Sequence, residues 1–222
     1  MEDSPIIYMI SGLGADRNMF SGIKIPDYSI RYIEWVKPAP YDDIQTYSQK
    51  LIKQIDTKKS CVLIGVSFGG IIAQEISKII KPVNTIIISS IVARNELPAL
   101  YRIAGRIKLH KTIPTSFLLK FNRIANFMFG AKSLMSKNLL KQTLLETDKY
   151  FLKWAIEQIL HYEFDFNDLV LTRIHGDKDK ILPIKSKKNH NLIKGGGHLI
   201  IVTNALEINI IISKALSLKK TF

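Results

Sequence analysis

Residues 61–76 read Cys-Val-Leu-Ile-Gly-Val-Ser-Phe-Gly-Gly-Ile-Ile-Ala-Gln-Glu-Ile, and no other stretch restricts the fold as much. Cys61 to Val66 is apolar throughout, without the alternation of a half-exposed strand, so it predicts a strand buried on both faces. Phe68 to Ile80 then reads as a helix that stops before Pro82. A buried strand running straight into a helix leaves one or two residues for the turn. Gly65-Val66-Ser67-Phe68-Gly69 fits such a turn for a steric reason. A sharp strand-to-helix reversal holds Ser67 in a strained backbone conformation, and side chains two positions either side would collide. Glycines at 65 and 69 remove them, and Gly70 loosens the start of the helix further.

The same rhythm recurs along the chain. Pro5 to Ile10 is a short apolar run that enters the loop Ser11-Gly12-Leu13-Gly14. Tyr28 to Val36 alternates at period two and stops at Pro38, which predicts a strand near an edge. Asp42-Asp43 offers an N-cap, followed at helical spacing by Ile44, Tyr47, Leu51, Ile52 and Ile55. Val83–Ser89, Leu169–Ile174 and Asn191–Lys194 are predicted strands, and Ile200–Leu216 a closing helix. Strands alternating with helices predict a mostly parallel sheet of about six strands, covered on both faces in three layers. Residues 93–165 break the rhythm with helical spacings such as Leu140, Leu144, Leu145 and Phe151, Ala155, Ile159. They are expected to form a helical insertion, a lid or a packing layer, within a core made of residues 1–92 and 166–222.

Composition narrows the class. A chain of 222 residues can bury a substantial core. Its apolar runs, Ile86–Ile88 and Ile208–Ile212 among them, are far shorter than the roughly 20 residues a membrane span needs. The first residues carry acids where a secretory signal carries bases, so a cytoplasmic location is expected. The single Cys61 excludes an internal disulfide and a thiolate zinc site. His110, His161 and His190 lack partners at metal-ligand spacing, so no metal is assigned. The net charge of +13 is uneven: residues 94–141 hold ten Lys and Arg against the single acid Glu96. No RNA-binding aromatic motif or helix-turn-helix pattern accompanies them, so no nucleic-acid partner is expected. A solvated basic face is the plain reading, and weak contact with an anionic surface the bolder one.

Ligands of open α/β sheets bind beyond the carboxyl ends of the strands. Three such ends carry reactive side chains. Ser67 follows one strand, His175-Gly176-Asp177-Lys178-Asp179 another, and Gly195-Gly196-Gly197-His198 the last. A serine hydroxyl needs a base to take its proton, and the base needs an orienting acid. The chain order Ser67, Asp177 or Asp179, His198 supplies all three. Phosphate binding is disfavoured because no Lys-Ser or Lys-Thr follows the glycines.

Over nearly its whole length the chain resembles the α/β-hydrolase-fold proteins. Ser67 falls on that superfamily's nucleophile elbow, His175 to Pro183 on its H-G-x-x-D-x-x-x-P segment, and His198 on the histidine before the last helix. The resemblance implies an acid at Asp179, with Asp177 the rival, and an oxyanion hole formed by the backbone N–H groups of Leu13 and Phe68. It implies hydrolysis of a small-molecule carboxylic ester or thioester without a cofactor; some members are instead small-ligand receptors or lyases. There are two departures. Ser11 stands where a histidine often opens the oxyanion loop. The chain before Pro5 is too short for the two leading antiparallel strands, so the count is expected to begin at the superfamily's third.

Overall fold

A computed structural model describes residues 4–163 and 169–217. Six strands form one sheet: β1 (Ile6–Ile10), β2 (Ile30–Ile33), β3 (Cys61–Val66), β4 (Asn84–Ile88), β5 (Leu171–Gly176) and β6 (Asn191–Ile193). Their order is β2-β1-β3-β4-β5-β6, and every pairing is parallel. The chain leaves β1 towards one edge and β3 towards the other. Their carboxyl ends therefore bound the crevice where a doubly wound sheet opens to a ligand.

Alternate residues of β1 and β3 feed two cores. Ile6, Tyr8, Ile10, Cys61 and Leu63 pack with helices α1 (Ile44–Ile52) and α2 (Phe68–Ile80). Ile7, Met9, Val62, Ile64 and Val66 pack on the opposite face with the Met19–Ile25 segment and the C-terminal helices. Burial on both sides explains why these strands read as continuous apolar runs. Asp43 caps α1 through a reciprocal capping box with Thr46.

Between β4 and β5 the described chain contains helices and no strand: α3 (Ala99–Arg106), α4 (Thr115–Leu118), α5 (Arg123–Phe129), α6 (Leu134–Glu146) and α7 (Lys149–His161). The expected end of the insertion near residue 165 lies outside the described residues. Helix α7 belongs to the same core as α1 and α2 through Phe151, Trp154 and Ala155. The Trp154 indole N–H also donates to the Asp42 carbonyl at 2.8 Å.

Two elements differ from the sequence expectation. Strand β2 is four residues long, because only Ile30–Ile33 finds partners on β1 and the edge leaves Arg31 and Tyr32 exposed. The closing helix is two helices, α8 (Ile200–Thr203) and α9 (Ala205–Ser217). Asn204 breaks it at φ −131°; its side chain accepts from the Thr203 hydroxyl and donates to Glu207. An Asn that bonds locally competes with the helical ladder, and no periodicity signals it.

Candidate active site

Ser67 sits between β3 and α2 with φ 53° and ψ −118°, a conformation that only a tightly determined turn holds in a non-glycine residue. Its N–H donates to Ile88 O at 2.9 Å, and its carbonyl accepts from the Ser90 hydroxyl at 2.7 Å. A Cβ at Gly65 would run into the backbone of Gly69 and Gly70. One at Gly69 would run into the carbonyls of Ile10 and Ser11. The glycines thus let α2 start directly against the end of β1, which brings Gly12 to Ser67: a Cβ built on Gly12 would lie 3.7 Å from Ser67 Cβ.

His198 reaches the same point from the other side. It follows β6 through Gly195, which has φ 71°, and its ring is 4% exposed as a residue. His198 Nε2 lies 3.0 Å from Ser67 Oγ, and Nδ1 lies 2.8 Å from Asp179 Oδ2. The ionised carboxylate can only accept, so Nδ1 carries the proton and Nε2 is left to accept from the serine hydroxyl. Asp179 Oδ1 accepts from the N–H groups of Ile181 and Leu182, each at 2.9 Å. Burial alone would raise the Asp179 carboxyl. The neighbouring His198 charge and the hydrogen bonds from His175, His198 and Leu182 outweigh it and hold the carboxyl well below the usual range.

The two acids are separated by geometry. Asp177 turns to the Gly195 N–H at 2.6 Å and braces the loop that carries His198, while Asp179 meets the imidazole itself. His175, the first residue of the H-G-x-x-D segment, also meets Asp179. It is buried, and its Nε2 lies 3.1 Å from Asp179 Oδ2 and 2.8 Å from Leu182 O. A nitrogen facing two acceptors carries the proton, so His175 donates to the same carboxylate oxygen as His198. Its position at the end of β5, four residues before Asp179, was visible in the sequence; the direction of its ring was not.

The loop after β1 is held from three sides. The Ser11 hydroxyl donates to Ala15 O at 2.6 Å, the Trp35 indole N–H donates to Gly12 O at 3.2 Å, and Ala15 N–H donates to Gly12 O at 3.0 Å. Ser11 therefore ties the loop in the place where a histidine was expected to help. Among the described residues neither the Leu13 nor the Phe68 N–H has a hydrogen-bond partner. Both residues line the cavity in front of Ser67. Neighbouring polar and aromatic residues lie outside the site. Asp16 caps a short turn through Asn18, Phe20 is in the second core, and Trp35 stacks on Phe68 at 5.6 Å beneath the site.

No family model matches the chain, and no curated protein matches it in sequence. Solved structures match it throughout. MenH from S. aureus superposes with a TM-score of 0.73 at 16% identity, over 100% of this chain and 96% of that one. A thermophilic esterase from Thermogutta terrifontis gives 0.72 at 13% identity, over 98% and 91%. Olei00960, a hydrolase from Oleispira antarctica, gives 0.69 at 14% identity, over 96% and 91%. The chain has the α/β-hydrolase fold. In this α/β-hydrolase-fold chain the described sheet holds six strands, all parallel.

The cavity in front of Ser67 has a volume of ≈ 450 Å³ and is walled by Leu, Ile and Phe side chains from α2 and from the helices between β4 and β5. Its polar lining is Ser67, Tyr101, Thr143, Thr147 and His198; no Asp, Glu, Lys or Arg faces it among the described residues. Burial, then the Asp179 charge, raises the Tyr101 phenol above its usual value. Phe129, at the end of α5, meets the His198 ring edge-on at 5.7 Å. No group of three or more His, Cys, Asp or Glu among the described residues is arranged to hold a metal ion.

Proposed function

We propose that the protein is a serine hydrolase of carboxylic esters, or thioesters, whose acyl group is apolar. The observation that carries this reading is the hydrogen-bonded series Ser67–His198–Asp179 opening on a cavity that no Asp, Glu, Lys or Arg lines among the described residues. In this reading Ser67 Oγ attacks the carbonyl carbon as His198 Nε2 takes its proton. Asp179 holds the imidazole's tautomer and stabilises the imidazolium. The unpaired N–H groups of Leu13 and Phe68 receive the developing oxyanion. His198 then passes the proton to the leaving alcohol or thiol, which departs and leaves an acyl-Ser67 ester. A water, deprotonated by His198, attacks that ester, and collapse returns the proton to Ser67 and frees the acid.

The cavity speaks for the substrate's acyl half. An apolar cavity of about 150 Å³ holds one benzene, so three times that volume suits an acyl chain of on the order of a dozen carbons. A charged acyl group would lose its hydration with no partner in the wall. The test is a series of p-nitrophenyl esters of increasing acyl length, with fluorophosphonate labelling of Ser67. Each added methylene is expected to raise kcat/KM by up to about fourfold, from about 0.8 kcal/mol per buried CH₂, until the cavity is filled. Ser67→Ala should abolish labelling and lower turnover by on the order of 10⁴-fold or more. Undiminished turnover in that variant would sink the assignment.

A further inference from the structure

The helices between β4 and β5 present a surface that ester hydrolysis does not require. Of the twenty large hydrophobic side chains exposed in the described residues, eleven lie between Leu100 and Leu145. Leu100 and Ile103 on α3 and Ile107, which caps its C-terminus, are exposed at helical spacing, and Phe117 and Ile124 are 71% and 70% exposed. The bases lie among them. Of the ten Lys and Arg in residues 94–141, Lys111 pairs with Glu157 at 3.2 Å. The other nine have no salt bridge among the described residues. The one acid of the stretch, Glu96, is occupied by Arg173 at 2.7 Å. This surface also reaches the cavity. Leu118, 39% exposed, is both a surface residue beside Phe117 and part of the cavity wall.

We infer that the face built from α3, α4 and α5 docks on the surface of an anionic lipid bilayer. Exposed apolar residues interspersed with unpaired bases have two needs at once, removal from water and negative charge, and the headgroup–acyl boundary of an anionic bilayer meets both. A nucleic acid would meet the bases and leave Phe117, Ile124, Leu100, Ile103 and Ile107 in water. A second copy would cover the apolar residues and set Arg106, Lys108 and Arg123 against like charges. On a bilayer Phe117 and Ile124 sink below the headgroups, and Arg106, Lys108 and Arg123 lie at phosphate level. Leu118 then brings the cavity mouth to the level of the acyl chains. The docking stands independently of the hydrolase reading, because none of these five residues lines the cavity or touches Ser67, His198 or Asp179.

The experiment is co-sedimentation of the Ser67→Ala protein, which leaves lipid uncleaved, with vesicles of phosphatidylcholine alone or mixed with phosphatidylglycerol. Binding is expected to the mixed vesicles only, and to weaken as salt is raised. The triple variant Arg106→Gln/Lys108→Gln/Arg123→Gln should lose on the order of 100-fold in partitioning, from about 1 kcal/mol per base at the surface. Phe117→Ser/Ile124→Ser should weaken binding while the charge is intact, with both variants melting at the wild-type temperature. Four results would overturn the inference: no vesicle binding, equal binding to neutral and anionic vesicles, indifference to both sets of substitutions, or tighter binding to an RNA or DNA oligonucleotide that ignores Phe117→Ser/Ile124→Ser. A vesicle-free dimer dissolved by the same two substitutions would also overturn it, in favour of self-association.

Discussion

At the residue scale the deciding contrast is between Asp177 and Asp179, two positions apart on one loop. Both face the His198 loop, but Asp177 bonds backbone and Asp179 bonds the imidazole. Asp179→Asn should therefore cost about 10⁴-fold in kcat by presenting the wrong tautomer. Asp177→Asn keeps an oxygen acceptor for Gly195 N–H and should cost less than about tenfold. The same pair separates in acid. The Asp179 carboxyl is held below its ordinary range, so folding favours its ionised form. That stabilisation is complete above the unfolded value of about 3.9 and is lost as pH falls through the folded value. Urea melts should show the wild type losing stability relative to Asp179→Asn as pH drops below about 4. No such loss relative to Asp177→Asn is expected from this cause. Equal kinetic losses in the two variants would remove Asp179 from its assigned role. The sequence narrowed the acid to these two because both follow β5. Spacing left both open and only the resemblance pointed to Asp179, since which of the two meets the imidazole rests on the turn that aims Asp179 Oδ1 at two backbone N–H groups.

At the element scale, α5 and α7 tie the helices between β4 and β5 to the site. Leu199 N–H donates to Phe129 O at 3.1 Å, and Gly130, with φ 74°, packs so closely on Gly197 that neither admits a Cβ. Helix α5 thus ends against the loop that carries His198. Helix α7 places Trp154 4.4 Å from the Tyr47 ring of α1 and 6.0 Å from Phe68, the residue after Ser67. Trp154→Ala removes that contact together with the indole bond to Asp42. It should destabilise the protein by about 3–5 kcal/mol, which for a chain of this size lowers Tm by on the order of 10 °C. Thermal melts by circular dichroism check this; an unchanged Tm would mean that α7 is an independent layer. Periodicity gave these helices their apolar positions, Phe151, Ala155 and Ile159 among them. Which apolar face meets α1 and which meets the cavity depends on helix directions that no local pattern encodes.

At the scale of the whole molecule, the layers were legible because parallel strands buried on both sides leave continuous apolar runs, as in Val62–Ile64 and Ile86–Ile88. The short, exposed β2 and the break at Asn204 were not, because both are set by what lies beside them rather than by their own composition. The sharper question is whether the molecule unfolds as one body. The chain has two tryptophans. Trp35 lies under the loop after β1 and Trp154 on α7, and both pack on Phe151, at 5.3 Å and 5.8 Å. Tryptophan fluorescence therefore reports on the floor of the site and its junction with α7, whereas far-ultraviolet circular dichroism reports on every helix and strand. The aromatic cluster joins α1, α2 and α7 to the face of β1 and β3 in a single core. Helix α7 cannot leave without exposing that face, so the two signals should give one midpoint in urea, as two-state unfolding requires. A fluorescence transition at lower urea would mean that α7 and the floor of the site separate before the sheet melts. The site would then owe its order to a weaker unit than the fold that carries it.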